Sequence, residues 1–241
     1  VADGAEVPGA EVPGEEMPGE ETPGVADAPA RVTALREHPR RAGRYVLDLD
    51  GETLGAVSVE VIADCGLRVG VVVDAALRAR LEQGVRAVAC YDRALDALAR
   101  RARSRVELAR WLKQREFAET EITPTCDKLE SLGLLHDEEY ARAFARSRLA
   151  PGRGMGPRRV AAELARRGVA RATVDAVMRE LEDEGVADEP AAIEAVAARK
   201  LRTMQGLEPE VVKRRLYGFL ARRGFSGGAI RTVLDQLPRD R

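Results

Sequence analysis

Aromatic residues make up only 4% of the 241-residue chain. They are thinly scattered among the basic residues, so a base-stacking platform for single strands is not indicated. No apolar run approaches the roughly 18 residues that a membrane-spanning helix needs, so no membrane association is expected. The basic-then-apolar layout of a signal peptide is also missing, and a cytoplasmic protein is expected. Cysteine is scarce: Cys65, Cys90 and Cys126 lie far apart and form no CxxC pair. They are expected to be reduced structural thiols, with Cys126 a small core residue. The two histidines, His38 and His136, have no partner at a metal-ligand spacing. The glycine-rich Gly152–Gly156 stretch lacks the Lys-Ser/Thr of a phosphate-binding loop. Gly-x-Ser-x-Gly and HExxH are absent too. Acid pairs such as Glu138-Glu139 sit at expected helix ends. No enzyme, cofactor, metal or small-molecule substrate is expected.

What the chain has in quantity is Arg, Ala, Leu, Val and Glu, a composition that favours helix over sheet. The formal net charge of −1 hides an asymmetry. Residues 1–30 carry eight acids and no base among recurring Val-Pro-Gly variants, which leaves 39 bases against 32 acids beyond them. Proline, glycine and mutual repulsion predict a disordered acidic tail. The remainder is mildly basic, which suits an acidic partner without identifying it.

Residues 31–87 read as a small α+β module. Gly43 to Leu49 alternates, Asp50-Gly51 is a hairpin signal, and Glu52 to Ser58 is the return strand. A short helix over Val59 to Cys65 with Gly66 as its stop, a strand over Leu67 to Asp74 and a helix over Ala75 to Gly84 complete it.

From residue 88 the apolar period is helical and a pattern appears three times. Leu108, Leu112, Arg115, Phe117, Ile122, Cys126 and Leu129 are answered by Val160, Leu164, Arg167, Val169, Val174, Met178 and Leu181. They are answered again by Leu216, Leu220, Arg223, Phe225, Ile230, Leu234 and Leu237. A period near 50 residues marks a helical repeat. The units are placed at 88–136, 137–187 and 188–241, each of three helices. Asp137 is expected to cap the helix to Leu149, Pro157 to open the next, and Thr173 to cap the third. The apolar residue five places after the second Leu can fold back over the helix end, with Gly168 or Gly224 at the turn. The first unit has Glu116 there, so its turn is either different or slightly strained.

The repeated arginines admit two readings. A cation at a helix C-terminus is favoured by the dipole, so Arg115, Arg167 and Arg223 need be no more than caps. Yet nine arginines lie between Arg142 and Arg171 against one acid, Glu163. The basic residues Arg158, Arg159, Arg166, Arg167, Arg214, Arg215, Arg222 and Arg223 therefore form the candidate partner-binding surface. No Asn or Gln opens a recognition helix, so base-specific DNA reading is not expected.

The stretches Gly156 to Val169, Asp137 to Arg148, Arg103 to Leu112, Val211 to Phe225 and Gly43 to Ser58 resemble the bacterial regulatory RecX family over residues 31–237. The acidic tail is not part of that pattern. The resemblance implies a mainly α fold, three tandem three-helix repeats in a curved elongated array behind the α+β module. The partner it implies is the RecA filament on single-stranded DNA, and a monomer is expected. It further implies suppression of strand exchange, ATP hydrolysis and the co-protease activity behind the SOS response, with weak direct DNA contact possible. A helical-repeat DNA-binding protein acting without RecA is the alternative from composition.

Overall fold

A computed structural model describes residues 29–150 and 154–236. Residues 1–28 of the expected acidic tail, Arg153 and Leu237, on which sequence expectations also fell, lie outside the described residues; Ala30, expected at the end of the tail, is instead buried in the first strand. Strands β1 (Ala30–Glu37), β2 (Arg44–Leu49), β3 (Glu52–Ser58) and β4 (Val72–Val73) form one antiparallel sheet in the order β3-β2-β1-β4. The hairpin turns on Asp50 and Gly51, both at positive φ (49° and 89°), as the primed turns require. Helix α1 (Val59–Asp64) is capped by Ser58 and stops before Gly66. The module closes over Val32, Leu47, Val57, Val73 and Leu81.

Two expectations for this module need correction, and one strand, β1, was not expected: only Ala30 and Val32 are buried, and the alternation breaks at Ala34 and Leu35. The strand expected over Leu67 to Asp74 shrinks to Val72–Val73, since the chain turns at Gly70 and Leu67 packs from a loop. The helix expected to end at Gly84 runs on as α2 (Ala75–Arg100). Gly84 is a packing contact: a Cβ there would meet the Val61 methyls at 3.2 Å. The 87/88 boundary thus falls inside a continuous helix, whose second half begins the first repeat.

The rest is helical. α3 (Arg105–Lys113) and α4 (Glu119–Ser131) complete unit one with the end of α2. α5 (Asp137–Leu149), α6 (Pro157–Arg166) and α7 (Arg171–Asp183) form unit two, and α8 (Glu189–Leu201), α9 (Pro209–Arg222) and α10 (Gly227–Gln236) unit three. Each unit encloses its own core, built on Leu108, Leu112 and Leu129, on Val160, Leu164 and Leu181, or on Leu216, Leu220 and Ile230. Burying one such Leu contributes roughly 1.5–3 kcal/mol.

Two expected caps are not where the sequence placed them. α7 begins at Arg171, so Thr173 is already its third residue, and the capping position is Ala170, with no side-chain bond. His136 occupies the capping position of α5. Asp137 turns instead to the neighbouring helix and accepts a hydrogen bond from the Arg105 backbone N–H at 2.7 Å. It supplies an acceptor to the first turn of α3, where backbone donors lack helical partners.

The fold-back expected after each second helix is present in all three units. Phe117, Val169 and Phe225 each donate their N–H to the carbonyl five residues earlier, at 3.4, 3.2 and 3.3 Å. The residue before each donates three residues back, completing the same C-terminal motif. Glu116 therefore makes the glycine turn without being glycine, at φ 64° beside 84° for Gly168 and 86° for Gly224.

Candidate partner-binding surface

The second helices of the three units meet end to end. Ser104 precedes α3 and donates its hydroxyl to the Arg167 carbonyl at the end of α6, at 2.5 Å. Gly156 precedes α6 and donates its N–H to the Arg223 carbonyl at the end of α9, at 2.8 Å; the Arg158 N–H reaches Gly224 at 3.2 Å. Groups left without intrahelical partners at the C-terminus of one helix are satisfied from the N-terminus of the next. The contact demands small residues. A Cβ on Gly168 would collide with Val106, and one on Gly156 with the Gly224 backbone.

Two of the eight arginines singled out by sequence belong to these joints. Arg167 is half-buried and donates to Glu107 Oε1 at 2.8 Å and to the Tyr140 hydroxyl at 3.0 Å. Tyr140 in turn donates to Glu107 Oε2 at 2.9 Å, and burial, then this bond, raise its pKa above the ordinary phenol value. Arg223 donates to the Gly154 carbonyl at 2.9 Å. Each also lies over an aromatic ring, Arg167 on Phe144 and Arg223 on Phe219, both at 4.6 Å. Each thus ties its own unit to the preceding one. Arg115, at the same position in unit one, reaches only the Trp111 carbonyl of its own helix, at 3.1 Å.

The other six face outward. On α6, Val160 and Leu164 point to the core, and Arg158, Arg159 and Arg166 are exposed on the opposite side. On α9, Leu216 and Leu220 are buried and Arg214, Arg215 and Arg222 are exposed in the same places. None of the six is in an ion pair among the described residues. The two triads adjoin across the joint, where Arg159 reaches the Arg222 carbonyl at 3.4 Å. The corresponding positions of α3 hold Val106, Glu107 and Gln114, so the exposed triad belongs to units two and three.

Counting along the chain overstated the free charge between Arg142 and Arg171. Acids from outside that window reach in. Arg142 pairs with Glu180 at 2.7 Å and with Glu138, Arg146 pairs with Glu184, and Arg167 with Glu107. The Arg142 guanidinium holds the Glu180 carboxyl below the usual carboxylate range. Glu107 is the joint residue that the sequence did not reveal; its only signal was standing three residues after Ser104, and both halves of that capping box form. Cys126 is a core residue as expected, and Cys90 is buried with it: burial raises the thiol pKa of Cys90 and pushes that of Cys126 up to about 11. Among the described residues no group of three or more His, Cys, Asp or Glu could hold a metal ion.

Three-helix units joined end to end through their second helices, with an exposed basic face free of ion pairs among the described residues, define a helical-repeat protein. Models of the first, second and third three-helix domains of RecX match residues 90–129, 137–178 and 187–234. The regulatory protein RecX of Thermobifida fusca is 39% identical over 144 residues, covering 59% of this chain and 76% of that protein. That of Pseudomonas entomophila is 39% identical over 148 residues, or 61% and 91% of the two chains. A crystal structure of a regulatory protein RecX shares the fold with a TM-score of 0.72 at 22% identity, over 86% of this chain and 100% of the other. The chain belongs to the RecX family of regulatory proteins.

Proposed function

We propose that this protein binds the RecA filament on single-stranded DNA and restrains it, without catalysis of its own. The observation that carries the reading is the pair of matching, unpaired triads, Arg158, Arg159 and Arg166 followed by Arg214, Arg215 and Arg222, on end-to-end helices. A regularly repeated basic face suits a partner that is itself repetitive, a filament with acidic protomer surfaces and DNA phosphates. Contacts made in tandem gain by effective concentration, so each can be moderate. A chain spanning neighbouring protomers opposes the rearrangement that accompanies ATP turnover and filament growth. Strand exchange, ATP hydrolysis and co-protease activity fall together on this account, and with them recombination and SOS induction in the cytoplasm.

The test is RecA-catalysed ATP hydrolysis on single-stranded DNA with this protein added in excess. Hydrolysis is expected to fall, and the effect to weaken as salt rises. Unchanged hydrolysis overturns the reading. The same unpaired arginines favour one second reading, DNA binding without RecA. Tight gel shifts of bare DNA at physiological salt support that alternative, and weak, salt-erased shifts remove it.

A further inference from the structure

Unit one gathers cations of a different kind around Trp111, the single tryptophan of the chain. Its half-buried ring has the Arg115 guanidinium 3.5 Å from its centroid and that of Arg103 at 5.2 Å. Arg103 Nε is buried and has no hydrogen-bond partner among the described residues. Burial, then the nearby Arg101 charge and also that of Arg115, hold the Arg103 guanidinium below the ordinary arginine value. Crowded like charges normally draw in an acid. The carboxylate facing this cluster, Glu107, is already engaged by Arg167, Tyr140 and the Ser104 N–H, and lies 3.7 Å from Arg101. Beside the cluster, Arg93 and Arg115 line a groove of about 370 Å³ with Gln114, Glu116 and Phe117. Arg115 is also the joint arginine of the first unit, with no preceding three-helix unit to hold.

We infer that Arg103 and Arg115, flanked by Arg101 and Arg93, form a phosphate-binding site at Trp111. Two guanidiniums on one ring, with two further arginines beside them, call for an anion that spreads more than one charge over several oxygens. Phosphate does so, and its oxygens match the guanidinium fork. A protein carboxylate neutralises one cation and leaves the others. The phosphate can be presented by the backbone of single-stranded DNA or by a free phosphate compound. This site is built from residues of unit one, not from the arginines of the α6 and α9 triads, and does not depend on RecA.

Because Trp111 is the only tryptophan, intrinsic fluorescence of the full chain reports on this site. Two probes are titrated separately, inorganic pyrophosphate and a short oligothymidylate. A saturating change in Trp111 emission is expected with at least one: with the oligonucleotide alone if the source is nucleic acid, with pyrophosphate as well if a free phosphate compound suffices. Arg103→Gln and Arg115→Gln should each weaken that response about tenfold, in keeping with loss of one charge-assisted hydrogen bond. Arg115 is exposed and makes only local contacts, so Arg115→Gln keeps the test decisive even if Arg103→Gln fails to fold. Joint replacement of Arg158, Arg159 and Arg166 by Ser should leave the response in place. No emission change with either probe, or unaltered affinity in Arg115→Gln, overturns the inference.

Discussion

At the scale of single residues, the repeated arginine divides into two jobs that spacing alone cannot separate. Arg167 and Arg223 hold units together, whereas their neighbours Arg166 and Arg222 face water. Replacing Arg167 by Ala removes the closer of the two cations at Glu107 and the one bonded to Tyr140, and should destabilise the fold by about 1–3 kcal/mol. Replacing Arg166 by Ala should stay within roughly 0.5 kcal/mol of the parent. Chemical denaturation of the two variants measures the contrast. Glu116 offers a second prediction, because it occupies a left-handed turn that glycine fills in the other units. Glu116→Gly should raise stability by about 0.5–1 kcal/mol, as relief of strain exceeds the added chain entropy. The Arg86 bond to the Glu116 carbonyl is made by the backbone and survives the change.

At the scale of elements, each second helix was legible because Leu and Arg recur at fixed offsets and Gly168 and Gly224 mark its end. The extended α2 was not, since Gly84 reads locally as a stop and only its contact with Val61 shows otherwise. Asp137 and Thr173 look alike as caps in sequence, and tertiary context decides both: the Arg105 N–H claims Asp137, and α7 starts two residues ahead of Thr173. The basic face was legible as composition. Which arginines remain free was not, because the neutralising Glu107, Glu180 and Glu184 are distant in sequence. The link between α2 and α4 carries a pH signature. The Arg86 guanidinium, then the Ala118 N–H, hold the Glu121 carboxyl below the usual carboxylate range. A lowered carboxylate pKa stabilises above the unfolded value and loses that contribution as pH falls through the folded one. Melting temperature should therefore drop on acidification below about pH 4.5. Glu121→Gln should flatten that dependence, and unchanged steepness would assign the drop to other carboxylates.

At the scale of the whole molecule, the joints make function depend on how the units are set against one another. Gly156→Val forces α6 away from α9 without touching an exposed arginine. It should leave most helical content by circular dichroism but weaken filament binding, because the two triads no longer adjoin. The most direct test of the account compares RecA-catalysed ATP hydrolysis on single-stranded DNA in the presence of the parent chain and of a variant. In the variant Arg158, Arg159, Arg166, Arg214, Arg215 and Arg222 are all replaced by Ser. The account predicts strong suppression by the parent and nearly uninhibited hydrolysis with the equally folded variant. Equal suppression by both would contradict it.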